Sequence, residues 1–279
     1  MDLSQLFRDH VAKVTDSVAR TLSETKYDAL VLGAGSQMVY YADDMEPPFR
    51  SNPHFAGMAP LRGPHHAIVV KPGVRPRLVR WAPKDYWYER APFAQDFWTS
   101  EFEFDEADSA DGVMAKIGPV GRAVFVGDDE ARATAAGFAV NPQDVVKRLD
   151  WDRATKTAYE IDCLSRASMA GASGHIAAKA AFLKGESELG IHHAFLRGAG
   201  ASEDLLPYPT IVCLDEKAAS SITTRSDPPA RAASCSSTRG PRTSVTAATS
   251  RGPVFRLRPT RSSRTSRRIS MRSSCACVR

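Results

Sequence analysis

The feature that most constrains the fold is an abrupt change of composition after residue 217. Segment 218–279 contains 13 Arg, no Lys and a single acid, Asp227. These charges give the segment +12, and the overall +5 then leaves −7 for residues 1–217. The segment has no apolar periodicity, which predicts a disordered basic tail on a mildly acidic body. Such a tail could hold phosphate backbones non-specifically, whereas a uniformly basic nucleic-acid-binding domain is not indicated.

The first 150 residues predict an α/β domain. Apolar residues at three-to-four spacing over 3–24 predict one long helix with an apolar face. Short apolar runs bounded by turn residues predict strands at 28–33, 66–73, 77–83 and 121–129. The sequence KPGVRP between the second and third runs is typical of a tight hairpin link.

Residues 157–214 predict a second, more helical segment. Thr157 and Glu160 form a capping-box pattern at the start of a helix that reaches residue 184. Gly185 is a typical stop signal, and Ser187 can cap a further helix that ends near residue 198. The sequence LLPYPTIVCL at 205–214 predicts an extended segment, with prolines that favour an edge or a strand entry.

Cysteine usage and the amino-terminal sequence indicate a cytoplasmic protein. The chain has five Cys with no framework spacing, which argues against a disulfide scaffold and fits a reducing compartment. No signal peptide and no membrane-spanning run is predicted.

Three short motifs have an ordinary interpretation beside a functional one. LGAGSQM at 32–38 could be a dinucleotide loop, but Met38 stands at the third glycine position, and a strand-to-helix turn is favoured. The pairs at 65–66 and 192–193 are adjacent histidines that point apart, so surface or loop positions are predicted. Cys275 and Cys277 could bind a soft metal but lack partner ligands.

Longer stretches carry a family resemblance. They are YADDMEPPFRSNPHF (41–55), PKDYWY (83–88), KTAYEIDCLSRASMAGASGHIAAKAAFLKGESELGIHHAFL (156–196) and DLLPYPTIVCLDEKAA (204–219). In this order and spacing the chain resembles the bacterial Xaa-Pro dipeptidases, or prolidases, and the related organophosphorus acid anhydrolases.

The resemblance implies a fold class and domain boundaries. We expect a creatinase/prolidase-type α/β domain at 1–150, the start of an incomplete pita-bread (α+β) catalytic domain at 151–218, and the tail at 219–279. The implied activity is hydrolysis of dipeptides with C-terminal proline by a cytoplasmic homodimer. The implied cofactor is a pair of divalent ions, usually Mn, which bridge a hydroxide nucleophile.

Two pocket residues follow from the same resemblance. Asp44 matches an acid that in the family reaches the active site of the neighbouring subunit, and Tyr208 matches a pocket tyrosine. The alternatives are a loop cap for Asp44 and strand packing for Tyr208. No catalytic residue and no metal ligand is predicted within this chain.

The tail departs from the family pattern. Five metal ligands, two Asp, one His and two Glu, are expected after residue 219, including Asp-Ala-Gly and Asp-Ile/Leu-Thr-Arg-Thr segments. The tail has one Asp and neither His nor Glu. The sequence therefore predicts one of two functions. The chain is either a member of the dipeptidase family that hydrolyses peptides, or a non-catalytic member of that family that only dimerises or binds. A nucleic-acid binder is a more distant alternative.

The genetic code allows a test of the tail. In a shifted frame, each new codon joins the third base of one residue to the first two bases of the next. This frame permits Asp-Ala-Gly across 237–240 and Gly-Ser-Asp-Ile-Thr-Arg-Thr across 246–253. The shifted aspartates fall at Thr238 and Thr249, 11 positions apart, which is the family's separation of its two metal-binding aspartates. We therefore predict a frameshift near Ala219.

Overall fold

The computed structural model describes residues 2–84, 86 and 95–214 and three short strands in the remaining tail. The chain divides into two compact units, Met1–Asp162 and Cys163–Arg279. Within the described ranges, no helix combines the length and apolarity needed to cross a membrane.

The first unit is built on a six-stranded mixed sheet. Its helices are α1 (Leu3–Thr25), α2 (Pro53–Met58), α3 (Ala110–Ile117), α4 (Glu130–Ala135) and α5 (Gln143–Asp152). Its strands are β1 (Ala29–Gly33), β2 (Ala67–Val70), β3 (Arg77–Trp81), β4 (Glu103–Ala107), β5 (Ala123–Val126) and β6 (Ala139–Val140). The strand order is β4-β3-β2-β1-β5-β6, with β1–β2 and β2–β3 antiparallel and the other pairs parallel.

The central strands are apolar on both faces because the sheet is covered on both sides. Successive side chains of a strand point to opposite faces. Leu30 of β1 accordingly packs into a core with Phe7 of α1, whereas Val31 packs into a second core with Ile117 of α3. Such layers are typical of α/β proteins, and they place α1 and α3 on opposite faces of the sheet.

The predicted elements around this core are confirmed. The long first helix, the four strands and the hairpin between β2 and β3 all form. Gly73 occupies the left-handed region (φ 71°) in the hairpin turn, where a side chain would be strained. The sequence did not predict β4, because its acidic sequence EFDEA lacks an apolar pattern. The strand instead pairs its acids with β3, through Arg77–Asp105 (3.1 Å) and Arg80–Glu106 (3.0 Å).

The capping box at the start of α6 (Ala158–Leu183) is confirmed. The Thr157 amide donates to Glu160 Oε2 (2.8 Å), and the Glu160 amide donates to Thr157 Oγ1 (3.3 Å). The same hydroxyl lies 2.9 Å from Nδ1 of His10, whose Nε2 donates to the Gly57 carbonyl oxygen at 2.7 Å. His10 is buried, and its two ring contacts connect α1 to α2 and to the N-terminal cap of α6.

The second unit contains most of α6 and α7 (Glu188–Ala199), packed as an antiparallel pair. Ser187 caps α7 by accepting from the Gly190 amide at 3.2 Å, as predicted. The helices approach closely at Gly174, where an added Cβ would lie 2.8 Å from the Phe195 ring. Small residues on this face of α6 therefore decide the packing.

The opposite face of α6 carries exposed apolar side chains. Ile161, Met169, Ile176 and Leu183 recur at seven- to eight-residue spacing, which places them in one stripe, and Ile176 is 70% exposed. The buried residues of α6 are Gly174, Ala178 and Ala181, on the far side of the helix. Exposed apolar surface of this kind marks a contact with another element or partner in soluble proteins.

The tail contributes β7 (Val245–Ala247), β8 (Phe255–Pro259) and β9 (Ile269–Ser270), paired antiparallel in the order β7-β8-β9. The sequence predicted disorder after residue 218. Apart from these short strands, that prediction lies outside the described residues, as does the Cys275–Cys277 pair.

Candidate functional site

Asp44 lies in the loop of residues 36–51 that follows β1. The loop is anchored at its base, because the Ser36 amide donates to the Asp128 carboxylate (3.1 Å to Oδ1) and the Gln37 side chain donates to the Pro47 carbonyl oxygen (3.0 Å). The Asn52 amide closes the loop by donating to the Ala34 carbonyl oxygen (2.7 Å). These contacts hold the loop against the sheet at both ends.

The tip of the loop is a tight turn with Asp44 on its surface. The Tyr40 amide donates to the Met45 carbonyl oxygen (3.0 Å), and Ala42 takes the left-handed region (φ 56°). The Met45 amide donates to Asp43 Oδ1 (3.1 Å). Asp43 therefore performs the capping role that was the alternative for Asp44. Asp44 itself is exposed, and within the described residues its carboxylate accepts no hydrogen bond.

Large exposed apolar side chains flank Asp44 in the loop sequence. The exposed ones at the tip are Met38, Val39, Tyr40, Tyr41 and Met45, and Tyr41 is fully exposed. Contiguous apolar surface of this kind marks interaction sites in soluble proteins. The loop tip, defined as residues 38–45, thus combines an apolar contact surface with a free carboxylate.

Tyr208 lies in the second unit, in the irregular segment between α7 and residue 214. Glu203 organises this segment: its carboxylate accepts from the Thr210 amide (2.6 Å) and lies 3.4 Å from Nε2 of His192. Partial burial raises the pKa of the Tyr208 phenol above its usual value. The hydroxyl is protonated at neutral pH even at the ordinary tyrosine pKa of about 10, so it can donate a hydrogen bond.

The segment that follows Tyr208 docks on α7. The Leu214 amide donates to Glu188 Oε1 at 3.0 Å, and Val212 and Cys213 are buried. The predicted extended segment is present without forming a strand in the described residues. Asp44 and Tyr208 belong to separate units, so the chain does not join them within one compact unit.

Two short motifs have a structural explanation. The glycines at 33 and 35 are not followed by a helix, since the chain continues into the irregular loop 36–51, so a dinucleotide-binding helix terminus is absent from this position. A Cβ on Gly33 would lie 2.6 Å from the Phe125 ring, and Gly35 has a φ of 120°. Gly33 is therefore needed for close packing against Phe125, and Gly35 for the backbone conformation of the turn.

His66 lies in the loop before β2, within the predicted surface or loop positions, but its side chain is not on the surface. His66 is only 5% exposed, and its ring stacks with that of Phe55 at a centroid distance of 6.2 Å. Its Nδ1 accepts from the Trp81 amide (2.9 Å), and its Nε2 donates to the Arg62 carbonyl oxygen (3.1 Å). Both ring nitrogens are thus used by the neutral tautomer. Burial lowers the pKa of His66 to about 4.

We expect acid to destabilise the first unit through His66. Its pKa in the unfolded chain is about 6.5, so between pH 6.5 and about 4 the unfolded state binds the proton more readily. Its contribution to the free energy of unfolding is complete above pH 6.5 and decreases by about 2 kcal/mol between pH 7.5 and 5. Urea unfolding at the two pH values measures this loss.

The variant His66→Gln should show a smaller difference between the two pH values, because Gln has no titrating group. Replacement of the exposed His193 by Gln is the matched control and should leave the difference unchanged. An equal pH dependence in His66→Gln and the unmodified chain would contradict the assignment.

Comparison with known proteins decides the family. The family model for the Xaa-Pro dipeptidase N-terminal domain matches residues 5–151. The chain belongs to the Xaa-Pro dipeptidase family. The Xaa-Pro dipeptidase of Shewanella loihica is 34% identical over 221 residues, and that of Shewanella baltica strain OS185 is 35% identical over 221 residues. Each alignment covers 78% of this chain and 50% of the relative.

Solved structures show the same fold. Proline aminopeptidase P II from Yersinia pestis has a TM-score of 0.57 at 19% identity, covering 92% of this chain and 62% of that structure. Aminopeptidase P from E. coli with the inhibitor Pro-Leu has a TM-score of 0.57 at 19% identity, covering 90% and 61%. The predicted fold class, an α/β domain followed by an incomplete pita-bread domain, is confirmed.

The chain spans about half the length of its curated Xaa-Pro dipeptidase relatives. Among the described residues, no group of three or more His, Cys, Asp or Glu side chains could hold a metal ion. The described residues therefore provide no site for the divalent ions that the resemblance implies. The positions where the resemblance places the ligands, beyond residue 219, lie outside the described side chains.

Proposed function

We propose that this chain is the amino-terminal part of an Xaa-Pro dipeptidase whose catalytic half is replaced by an out-of-frame tail. The supporting observation is that likeness to the curated relatives extends over 221 residues, whereas the composition changes after residue 217. The proposed parts are an N-terminal domain at 1–150, the start of the catalytic domain at 151–218, and shifted translation at 219–279.

The intact protein would be a cytoplasmic metallodipeptidase that hydrolyses dipeptides with C-terminal proline, with two divalent ions, manganese by resemblance, as its cofactor. As written, the chain would bind no stoichiometric metal and catalyse no hydrolysis, because its tail contains neither His nor Glu and only one Asp. It would remain able to dimerise or to bind. The Xaa-Pro dipeptide is the proposed substrate, and neither a membrane nor a specific nucleic acid is a proposed partner.

The loop tip is the proposed contact between the two subunits of the intact dimer. Its exposed apolar side chains would be covered by the partner, which removes apolar surface from water. Asp44 would then enter the active site of the neighbouring subunit, since its carboxylate accepts no hydrogen bond within the described residues. Tyr208 would line the substrate pocket and donate from its protonated hydroxyl.

Replacement of Asp44 by Asn in the frame-restored protein is expected to lower kcat/KM at least tenfold, because the pocket loses a charge that the substrate meets. Dipeptide hydrolysis measures the change. The matched control is Glu46→Gln, an exposed acid in the same loop, which should change kcat/KM less than twofold.

Mixed dimers test whether Asp44 acts across the interface. We expect activity when an Asp44→Asn subunit is combined with a subunit that lacks one restored metal-binding aspartate, because one of the two sites is then complete. If a dimer verified to be mixed is no more active than the Asp44→Asn homodimer, Asp44 does not act across the interface.

A further inference from the structure

A cavity of about 320 Å³ opens on the first unit, away from the loop tip. Its walls come from α1, β1, α2 and the segment from Leu149 to Glu160. This volume is near the lower end of the range for small-molecule sites. A cavity of this size can enclose a small organic ligand.

The floor of the cavity is apolar. Val18 of α1, Leu30 and Leu32 of β1, and Leu149 of α5 line it and are buried in the core behind it. His10 also lines the cavity, but both of its ring nitrogens have partners in the protein. The floor can therefore hold an apolar group but offers few hydrogen bonds.

The walls of the cavity carry three cations and two carboxylates, so their net charge is +1. Lys13 and Arg20 lie on one face of α1, seven residues apart, and Arg153 follows α5. Within the described residues, none of these three has an ion-pair partner. The acids that line the cavity are engaged: Asp152 accepts from the Ser17 hydroxyl, and Glu160 accepts from the Thr157 amide.

Arg153 is the strongest indication of a ligand. Its Nε is buried and has no hydrogen-bond partner among the described residues. The guanidinium lies against α2, where a Cβ added to Gly57 would be 3.6 Å from this nitrogen. Leaving a buried charged donor without an acceptor costs stability, so an acceptor supplied by a ligand would offset that cost.

We propose that this cavity binds a small amphipathic carboxylate, with its apolar body on the floor and its carboxylate at Arg153. An arginine fork matches carboxylate geometry, and Lys13 and Arg20 supply further attraction at the rim. The site is separate from the proposed dipeptidase pocket, since neither Asp44 nor Tyr208 lines the cavity. It can be tested on the chain as written.

Calorimetric titration of the full chain with 4-phenylbutyrate tests the site. We expect one ligand per chain with a submillimolar Kd, and at least tenfold weaker binding of the neutral 4-phenylbutyramide. Octanoate and N-acetyl-leucine, titrated in parallel, distinguish a lipid-derived acid from the carboxyl end of a peptide, according to which binds more tightly.

Arg153→Met should weaken phenylbutyrate binding at least tenfold, while Arg75→Met, which removes the same charge from an exposed turn, should not change it. Val14→Phe, which narrows the cavity without removing a cation, should also weaken binding.

Circular dichroism verifies that each variant is folded. If Arg153→Met unfolds, the double variant Lys13→Met/Arg20→Met replaces it. Undetectable binding at millimolar ligand, equal binding of the amide, or unchanged binding by folded Arg153→Met would overturn the proposal.

Discussion

Restoration of the proposed reading frame after Glu216 should increase kcat/KM for a Gly-Pro-type dipeptide at least about 10⁴-fold over the chain as written. Enzymes accelerate reactions by about 10⁶-fold or more over the uncatalysed rate, so loss of the complete ligand set should remove nearly all activity. The supporting observation is a tail without His or Glu. Elemental analysis should find about two divalent ions per restored chain, following the family, and no stoichiometric metal in the chain as written.

The matched control for this experiment is a restored chain in which the aspartate encoded across Thr238 is replaced by Asn. It has the same length and nearly the same composition, but it lacks one proposed ligand, so its activity should return close to background. Near-stoichiometric metal together with turnover in the chain as written would contradict the account of the tail.

Polar substitutions in the exposed stripe on α6 should be beneficial in the chain as written and destabilising once the frame is restored. In the chain as written, Met169→Ser/Ile176→Ser should reduce self-association, because these side chains are exposed. In the restored protein we expect the catalytic sheet to cover them. The same pair should then lower the free energy of unfolding by about 4 kcal/mol, since burial of each large apolar side chain contributes about 2 kcal/mol.

Sedimentation velocity measures self-association of the chain as written, and urea unfolding measures the stability of both chains. Ala170→Ser, an exposed substitution on the other side of α6, is the matched control and should have little effect in either chain. Equal stability changes in the two chains would show that the restored segment does not cover the stripe.

The core of the first unit was predictable because its strands and helices follow simple apolar periods. β1, β2 and β5 are short, apolar and bounded by turn residues, and α1 repeats its apolar residues at helical spacing. β4 was not predictable in the same way. Its acidic residues form a strand because arginines of β3 lie opposite them, and this pairing is a property of the folded sheet.

The candidate site was predictable only in part. Resemblance indicated Asp44, and the turn at the loop tip shows that Asp43, its neighbour, is the residue that accepts the hydrogen bond of the turn. The buried position of His66 and the cavity beside Arg153 depend on contacts between residues far apart in sequence. Local sequence patterns do not predict contacts between residues that are far apart in sequence.

The coding DNA beyond Glu216, read in all three frames, tests the central claim most directly. We predict that one base is gained or lost near Ala219 and that a shifted frame encodes Asp-Ala-Gly and then Asp-Ile-Thr-Arg-Thr. The two aspartate codons should be 11 codons apart, at the positions of Thr238 and Thr249. If no frame encodes these segments, the tail is a natural basic extension and the frameshift account is wrong.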